Sequence, residues 1–104
     1  MKSAFADDKR EVIKMYGGHG WPSLFTRIRF FTAPYASLMH HVPEHGVIID
    51  VGCGYGIFSN LLALTGHDRH ILGIDTDKFK MHYAPHGLPN AEFRIVDAMA
   101  MDTP

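Results

Sequence analysis

A chain of 104 residues has room for one small domain, and its hydrophobic share of 46% with one Trp, four Tyr and seven Phe excludes a disordered polypeptide. A net charge of −1 excludes a nucleic-acid binder that works by bulk electrostatics. A single cysteine excludes an intramolecular disulfide framework, and with charges at the N-terminus (MKSAFADDKREVIK) where a signal peptide needs an apolar run, and no run near the ~18 residues of a membrane span, a soluble cytoplasmic domain is expected.

Ser3 is placed to cap a first helix, with Asp7, Asp8 and Glu11 near its positive end. Phe5, Val12, Ile13 and Tyr16 fall on one side of it, and Gly17-Gly18 ends it. GGHGW reads as a flexible loop up to Pro22. From Ser23 onward Leu24, Phe25, Ile28, Phe31, Tyr35 and Leu38 recur at steps of three and four, which predicts an amphipathic helix interrupted at Pro34 and closed by Pro43. Val47 to Val51 is an almost continuous β-branched apolar run and reads as a buried, parallel-type strand. Ile57 to Leu64 is a helix stopped by Thr65-Gly66, and His70 to Asp75 is a second strand. A short helix in TDKFKMHYA ends at Pro85 and Gly87, and Glu92 to Val96 is a third strand. The β-α-β-α-β order predicts an α/β fold with a parallel sheet and right-handed crossovers.

Between the first strand and its helix, Gly52, Gly54 and Gly56 alternate directly after Asp50. Glycines at such spacing let the backbone turn sharply and approach a ligand. Asp50, Asp75 and Asp97 each lie at the exit of a strand, and ligands of open α/β sheets bind beyond those exits. Two ligand classes fit a glycine-rich first turn: a dinucleotide such as NAD, and the sulfonium cofactor S-adenosyl-L-methionine. The dinucleotide fingerprint G-x-G-x-x-G requires a third glycine where this chain has Ile57. A pyrophosphate also disfavours a neighbouring carboxylate, whereas a ligand carrying a sulfonium and an ammonium is attracted by Asp50. The balance favours the sulfonium cofactor.

The segments IIDVGCGYG, ILGIDTD and IVDAMAMD, in that order, resemble the class I S-adenosylmethionine-dependent methyltransferases over about Val47 to Pro104. The resemblance implies a Rossmann-like α/β fold, of which this chain supplies the first β-α-β-α-β part, preceded by N-terminal helices. It implies methyl transfer to a small-molecule acceptor, with S-adenosyl-L-methionine as cofactor. The loop Gly52, Cys53, Gly54, Tyr55 and Gly56 would line the methionine moiety, with Asp50 near its ammonium. Asp75 would accept the two ribose hydroxyls, and Asp97 would meet the adenine amino group with Ala98 and Met99 beside the ring. Thr76 occupies a position where the family often has a bulkier residue against the adenine.

Structural roles compete with each of these. Asp75 could cap the short helix after it, although Asp77 is equally placed to do so. Asp97 could be a turn residue. Cys53 reads as a small buried filler rather than a nucleophile, because no base is fixed beside it. His40, His41 and His45 cluster, but Pro43 among them breaks any regular metal-ligand face, so no metal is expected. The aromatics Phe25, Phe30, Phe31 and Tyr35 read first as core, and Arg27 and Arg29 lend a little weight to an acidic or phosphate-bearing acceptor, which a solvated face explains equally well.

A complete sheet of the family has seven strands and this sequence supplies three, so it reads as the cofactor-binding N-terminal part of a longer protein. Residues 1–46 would form a helical lid, with Trp21, Phe25 and Tyr35 as an apolar acceptor wall, and residues 47–104 a partial Rossmann-like domain. The first strand's free edge would favour self-association. The placed residues all hold the cofactor and leave the catalytic base unknown, so these residues alone are expected to bind without transferring methyl. The rival readings are an NAD-dependent oxidoreductase and a catalytically silent binding module.

Overall fold

The computed structural model describes residues 4–17 and 20–96. In chain order these form α1 (Ala4–Met15), α2 (Gly20–Thr32), α3 (Tyr35–Met39), β1 (Gly46–Val51), α4 (Ile57–Thr65), β2 (Arg69–Asp75), α5 (Lys78–His82) and β3 (Ala91–Ile95). The element order is the one expected from the sequence, with boundaries moved by a residue or two. The larger shift is at α2, which begins at Gly20, so the expected loop up to Pro22 is mostly helix. Pro22 falls in the first turn, where an N–H has no helical partner to lose.

The three strands form a parallel sheet in the order β1-β2-β3. Asp50 lies opposite Gly73, and Asp75 lies opposite Ile95, so the exits of β1 and β2 open at the same end. Helix α4 packs on the sheet and carries α1 on its other side. Its residues Ile57, Leu61, Leu62 and Ala63 are all buried. Truncating a fully buried leucine such as Leu61 costs about 2–5 kcal/mol. Val12, Tyr16, Phe30 and Tyr35 of the N-terminal helices share one core with Tyr55, Ile57 and Leu61. The helices before β1 are therefore packed directly against the glycine loop and the helix it starts.

Two burial expectations are corrected. The apolar stripe expected to hold α2 in place, Leu24, Ile28 and Phe31, points outward, with Phe31 91% exposed. Instead Phe30 turns inward and meets the rings of Phe5 and Tyr35 edge-on, at 6.2 and 5.3 Å. The segment has apolar residues on two faces, and aromatic packing selects between them. Strand β1 is likewise covered on one face only: Ile48 and Asp50 are half-buried, while Val47 is 75% exposed and Ile49 and Val51 are also exposed. It sits at the sheet edge, and no described helix covers the face carrying Val47, Ile49 and Val51. Among the described residues no helix is long and apolar enough to cross a membrane.

At the amino-terminal end of β2 the polar side chains fasten backbone. The buried Arg69 donates from Nε to the Pro43 carbonyl at 2.7 Å, and from Nη1 to the Leu62 carbonyl at 3.0 Å and to Thr65 Oγ1 at 3.1 Å. Asn90 Nδ2 donates to the carbonyls of Ala63, Gly66 and Arg69. These bonds tie the end of α4 and the turn after it to β2 and to Pro43, adding donors to carbonyls that include Ala63 in the last turn.

Candidate functional site

At the other end of the sheet the chain leaves β1 through a loop in which Gly52, Gly54 and Gly56 all have positive φ, at +72°, +58° and +76°. Two of them place the loop. At Gly56 a Cβ would lie 2.5 Å from Cε1 of Phe93, so side-chain absence lets the start of α4 settle on β3. At Gly54 the backbone N–H donates to Asp75 Oδ2 at 2.7 Å, which ties the loop after β1 to the exit of β2. Gly56 is buried and serves packing, whereas Gly52 is exposed and Gly54 half-buried at the cleft.

Asp75 also accepts the Asp77 N–H on Oδ1 at 2.8 Å. The cap of α5 is Asp77, whose Oδ1 accepts the N–H groups of Phe79 and Lys80 at 3.0 and 3.1 Å. Each oxygen of Asp75 thus holds one backbone bond and keeps a further lone pair. Thr76 lies beside Asp75 in a small hollow with Val51, Gly52 and Val96.

Asp50 accepts the Ser59 hydroxyl at 2.6 Å. Burial raises its carboxyl above the usual range, the Ser59 bond opposes that, and the charge of Asp75 adds to it. Cys53 has its Sγ 3.5 Å from Met81 Sδ, and burial followed by the charges of Asp50 and Asp75 pushes its thiol up to about 12. A thiol raised in this way ionises less readily than a free one.

Between the loop and the N-terminal helices lies a cleft of about 420 Å³, lined by Asp50, Gly52, Cys53, Gly54, Tyr55, Ile57 and Phe58 on one side and Phe25, Arg29, Tyr35 and Leu38 on the other, with Lys80 at its margin. That volume suits a small ligand. Helix α4 starts at this cleft with no side-chain cap and no acid in its first turn. A larger hollow of about 630 Å³ lies at the opposite end of the strands, around Thr65 to Arg69, and contains neither the loop nor Asp50 and Asp75.

Tyr55 connects the cleft to the N-terminal helices. Its carbonyl accepts the hydroxyl of Tyr16 from α1, and Asn60 Nδ2 donates to that hydroxyl at 3.4 Å. Its own hydroxyl accepts Trp21 Nε1–H at 3.2 Å, and its ring lies 4.7 Å from that of Phe25. Of the expected acceptor wall, Phe25 and Tyr35 line the cleft, whereas Trp21 is half-exposed and holds Tyr55 from outside. Sequence reasoning missed Ser59, Asn60 and Lys80 as parts of this region, and of the two arginines it weighed for an acidic acceptor, Arg29 lines the cleft. The polar pair Ser59-Asn60 inside an otherwise apolar helix was the available signal, because such residues are placed there only with partners. Asp97, Ala98 and Met99 lie outside the described residues.

A parallel α/β sheet whose glycine-rich first turn is bonded to the acid at the exit of the next strand is the Rossmann-like arrangement expected from the sequence. Residues 43–104 match the methyltransferase domain family, and the chain belongs to that family, the class I methyltransferases. It is 35% identical over 80 residues to the trans-aconitate 2-methyltransferase of Methylobacterium radiotolerans, covering 74% of this chain and 31% of that protein. With the trans-aconitate 2-methyltransferase of Paracidovorax citrulli it shares 35% over 86 residues, 79% of this chain and 33% of that one. With the 235L protein of Invertebrate iridescent virus 6 it shares 32% over 56 residues, 54% of this chain and 21% of that one. The chain thus spans between a fifth and a third of the length of these curated relatives.

Proposed function

We propose that this chain binds S-adenosyl-L-methionine at the strand exits and forms the cofactor-holding part of a methyltransferase for a small-molecule acceptor. The observation that carries the reading is the bond from Gly54 N–H to Asp75, which sets the second strand's acid against the glycine turn, within the electrostatic reach of Asp50. The residues present fit the cofactor. Asp75 retains lone pairs for two vicinal hydroxyls, Asp50 offers a carboxylate toward an ammonium, and the loop of Gly52, Cys53, Gly54 and Tyr55 presents backbone with little side chain. Thr76 leaves room beside the base, and Asp97, Ala98 and Met99 are assigned to the adenine by the family resemblance alone.

When bound, the cofactor supplies a methyl group on a sulfonium whose leaving group is a neutral thioether. The chain's own part is then alignment and exclusion of water. Asp50 and Asp75 would fix the two ends of the cofactor, and in the segment before β1, proposed as a lid, α2 and α3 line the cleft. Phe25, Tyr35 and Leu38 make its apolar wall. The names of two relatives, which refer to trans-aconitate, support a small acceptor. Because the matched segments make up 31% and 33% of those relatives, turnover is expected of a whole protein of their length and binding of these residues.

Isothermal titration of the chain with S-adenosylhomocysteine and with NAD tests the reading. Saturable binding of the first and none of the second is expected. Binding of NAD alone would replace the methyltransferase cofactor with a dinucleotide, and binding of neither would leave the silent-module reading.

A further inference from the structure

Arg29 is the cation that the cofactor reading leaves without a task. It stands one turn after Phe25 on α2, and both line the cleft on the wall opposite the glycine loop. Its guanidinium lies over the Tyr35 ring, 6.0 Å from the centroid. Tyr35 is buried and stacks on Phe58 at 5.1 Å with an interplanar angle of 19°, while Phe30 meets its edge. The cation thus rests on an ordered aromatic pile and not on a free side chain. The ion pairs among the described residues join Arg10 to Asp7, Lys14 to Glu11 and Arg94 to Glu92, and none involves Arg29.

The rest of the cleft narrows what Arg29 would meet. Lys80 adds a second positive charge at the margin, and the single lining carboxylate, Asp50, is already bonded to Ser59. No histidine lines the cleft among the described residues, and the Cys53 thiol is held neutral. These groups offer charge to an anion, and none is placed to take a proton from a neutral acceptor. An acceptor that is ionised before it arrives needs no such base. A planar guanidinium also matches the geometry of a carboxylate.

We propose that Arg29, seated on Tyr35 and facing the glycine loop, anchors a carboxylate of the methyl acceptor, so that the cleft selects a small carboxylic acid. The proposal rests on the cofactor reading above. It makes Arg29 a specificity-determining residue on the acceptor side, distinct from Asp50 and Asp75 on the cofactor side.

The test uses the full chain with S-adenosylhomocysteine present and trans-aconitate as the probe, followed by NMR titration. The trianion is expected to shift the Arg29 Nε–H and the Tyr35 and Phe58 signals, and its neutral trimethyl ester is not. Arg29→Ala should weaken trans-aconitate at least tenfold and Arg29→Lys by less. Both variants should keep S-adenosylhomocysteine affinity within twofold. Equal binding of acid and ester, no binding of the acid, or an unchanged acid affinity in Arg29→Ala overturns the proposal. So does a tenfold loss of S-adenosylhomocysteine in Arg29→Ala, which would give Arg29 to the cofactor. Failure of the wild-type chain to bind S-adenosylhomocysteine would instead sink the cofactor reading, and the acceptor subsite with it.

Discussion

At the amino-terminal end of β2, Arg69 and Asn90 spend their donors on backbone carbonyls of Pro43, Leu62, Ala63 and Gly66. At the carboxyl end, Asp50 and Asp75 accept one hydroxyl and two backbone N–H groups and retain unused lone pairs beside an open cleft. Both ends bury polar side chains. The first end closes its hydrogen-bond account within the chain, and the second leaves it open to a ligand. That difference separates residues kept for stability from residues kept for binding, and substitution at each end should separate the two readouts.

The largest effect is expected at the closed end. Arg69→Ala removes charge-assisted bonds to the carbonyls of Pro43 and Leu62 and to Thr65 Oγ1 and empties a buried site, at a cost of about 3 kcal/mol in folding stability. Denaturant unfolding should register that loss, while S-adenosylhomocysteine affinity of the folded protein stays unchanged. Asp75→Ala should do the reverse. Loss of both ribose contacts is expected to weaken S-adenosylhomocysteine by about 2–3 kcal/mol in calorimetry, with a smaller change in the melting temperature. A variant at either end that moved both readouts equally would break the comparison.

Asp50 sharpens it, because there the two quantities are expected to move in opposite directions. Its carboxyl is raised in the folded protein, mainly by burial, so the folded state holds the proton more tightly than the unfolded chain. Ionisation of Asp50 therefore costs stability, and the cost develops as pH rises from the unfolded carboxylate value of 3.8 through the raised folded value. Asp50→Asn should remove that downward slope and raise the melting temperature at neutral pH. The same variant should weaken the cationic cofactor about tenfold, which is ~1.4 kcal/mol. The smallest effect is expected for Tyr16→Phe, which deletes the bond to the Tyr55 carbonyl. About 1 kcal/mol of stability should be lost, read by thermal unfolding.

Much of this was legible in the sequence where one physical signal dominated. The alternate glycines after a β-branched run fixed the strand-turn-helix at Val47 to Leu64, and the period-three-to-four pattern with Pro34 fixed the break between α2 and α3. Burial was legible only in part. The apolar run of β1 resembles a strand covered on both faces, yet its exposure depends on what packs beside it, which no local pattern carries. In α2 two apolar faces compete, and the contacts of Phe30 with Phe5 and Tyr35 decide between them. At the site, Asp50, Gly54 and Asp75 were found because motif spacing brings them to one crevice. Ser59, Tyr16 and Arg29 reach it through tertiary contacts, so a polar residue in an apolar helix and a basic pair could be noticed but their partners could not.

The central claim is that the open end of the sheet, and not the larger hollow at its closed end, holds the cofactor. Amide chemical shifts of the labelled chain titrated with S-adenosylhomocysteine test it residue by residue. The account predicts the largest changes at Gly52, Gly54, Thr76 and Asp77, as the Gly54 to Asp75 bond readjusts, with Thr65 to Arg69 and Asn90 unmoved. Changes centred on Thr65 to Arg69, with Gly54 silent, would contradict it.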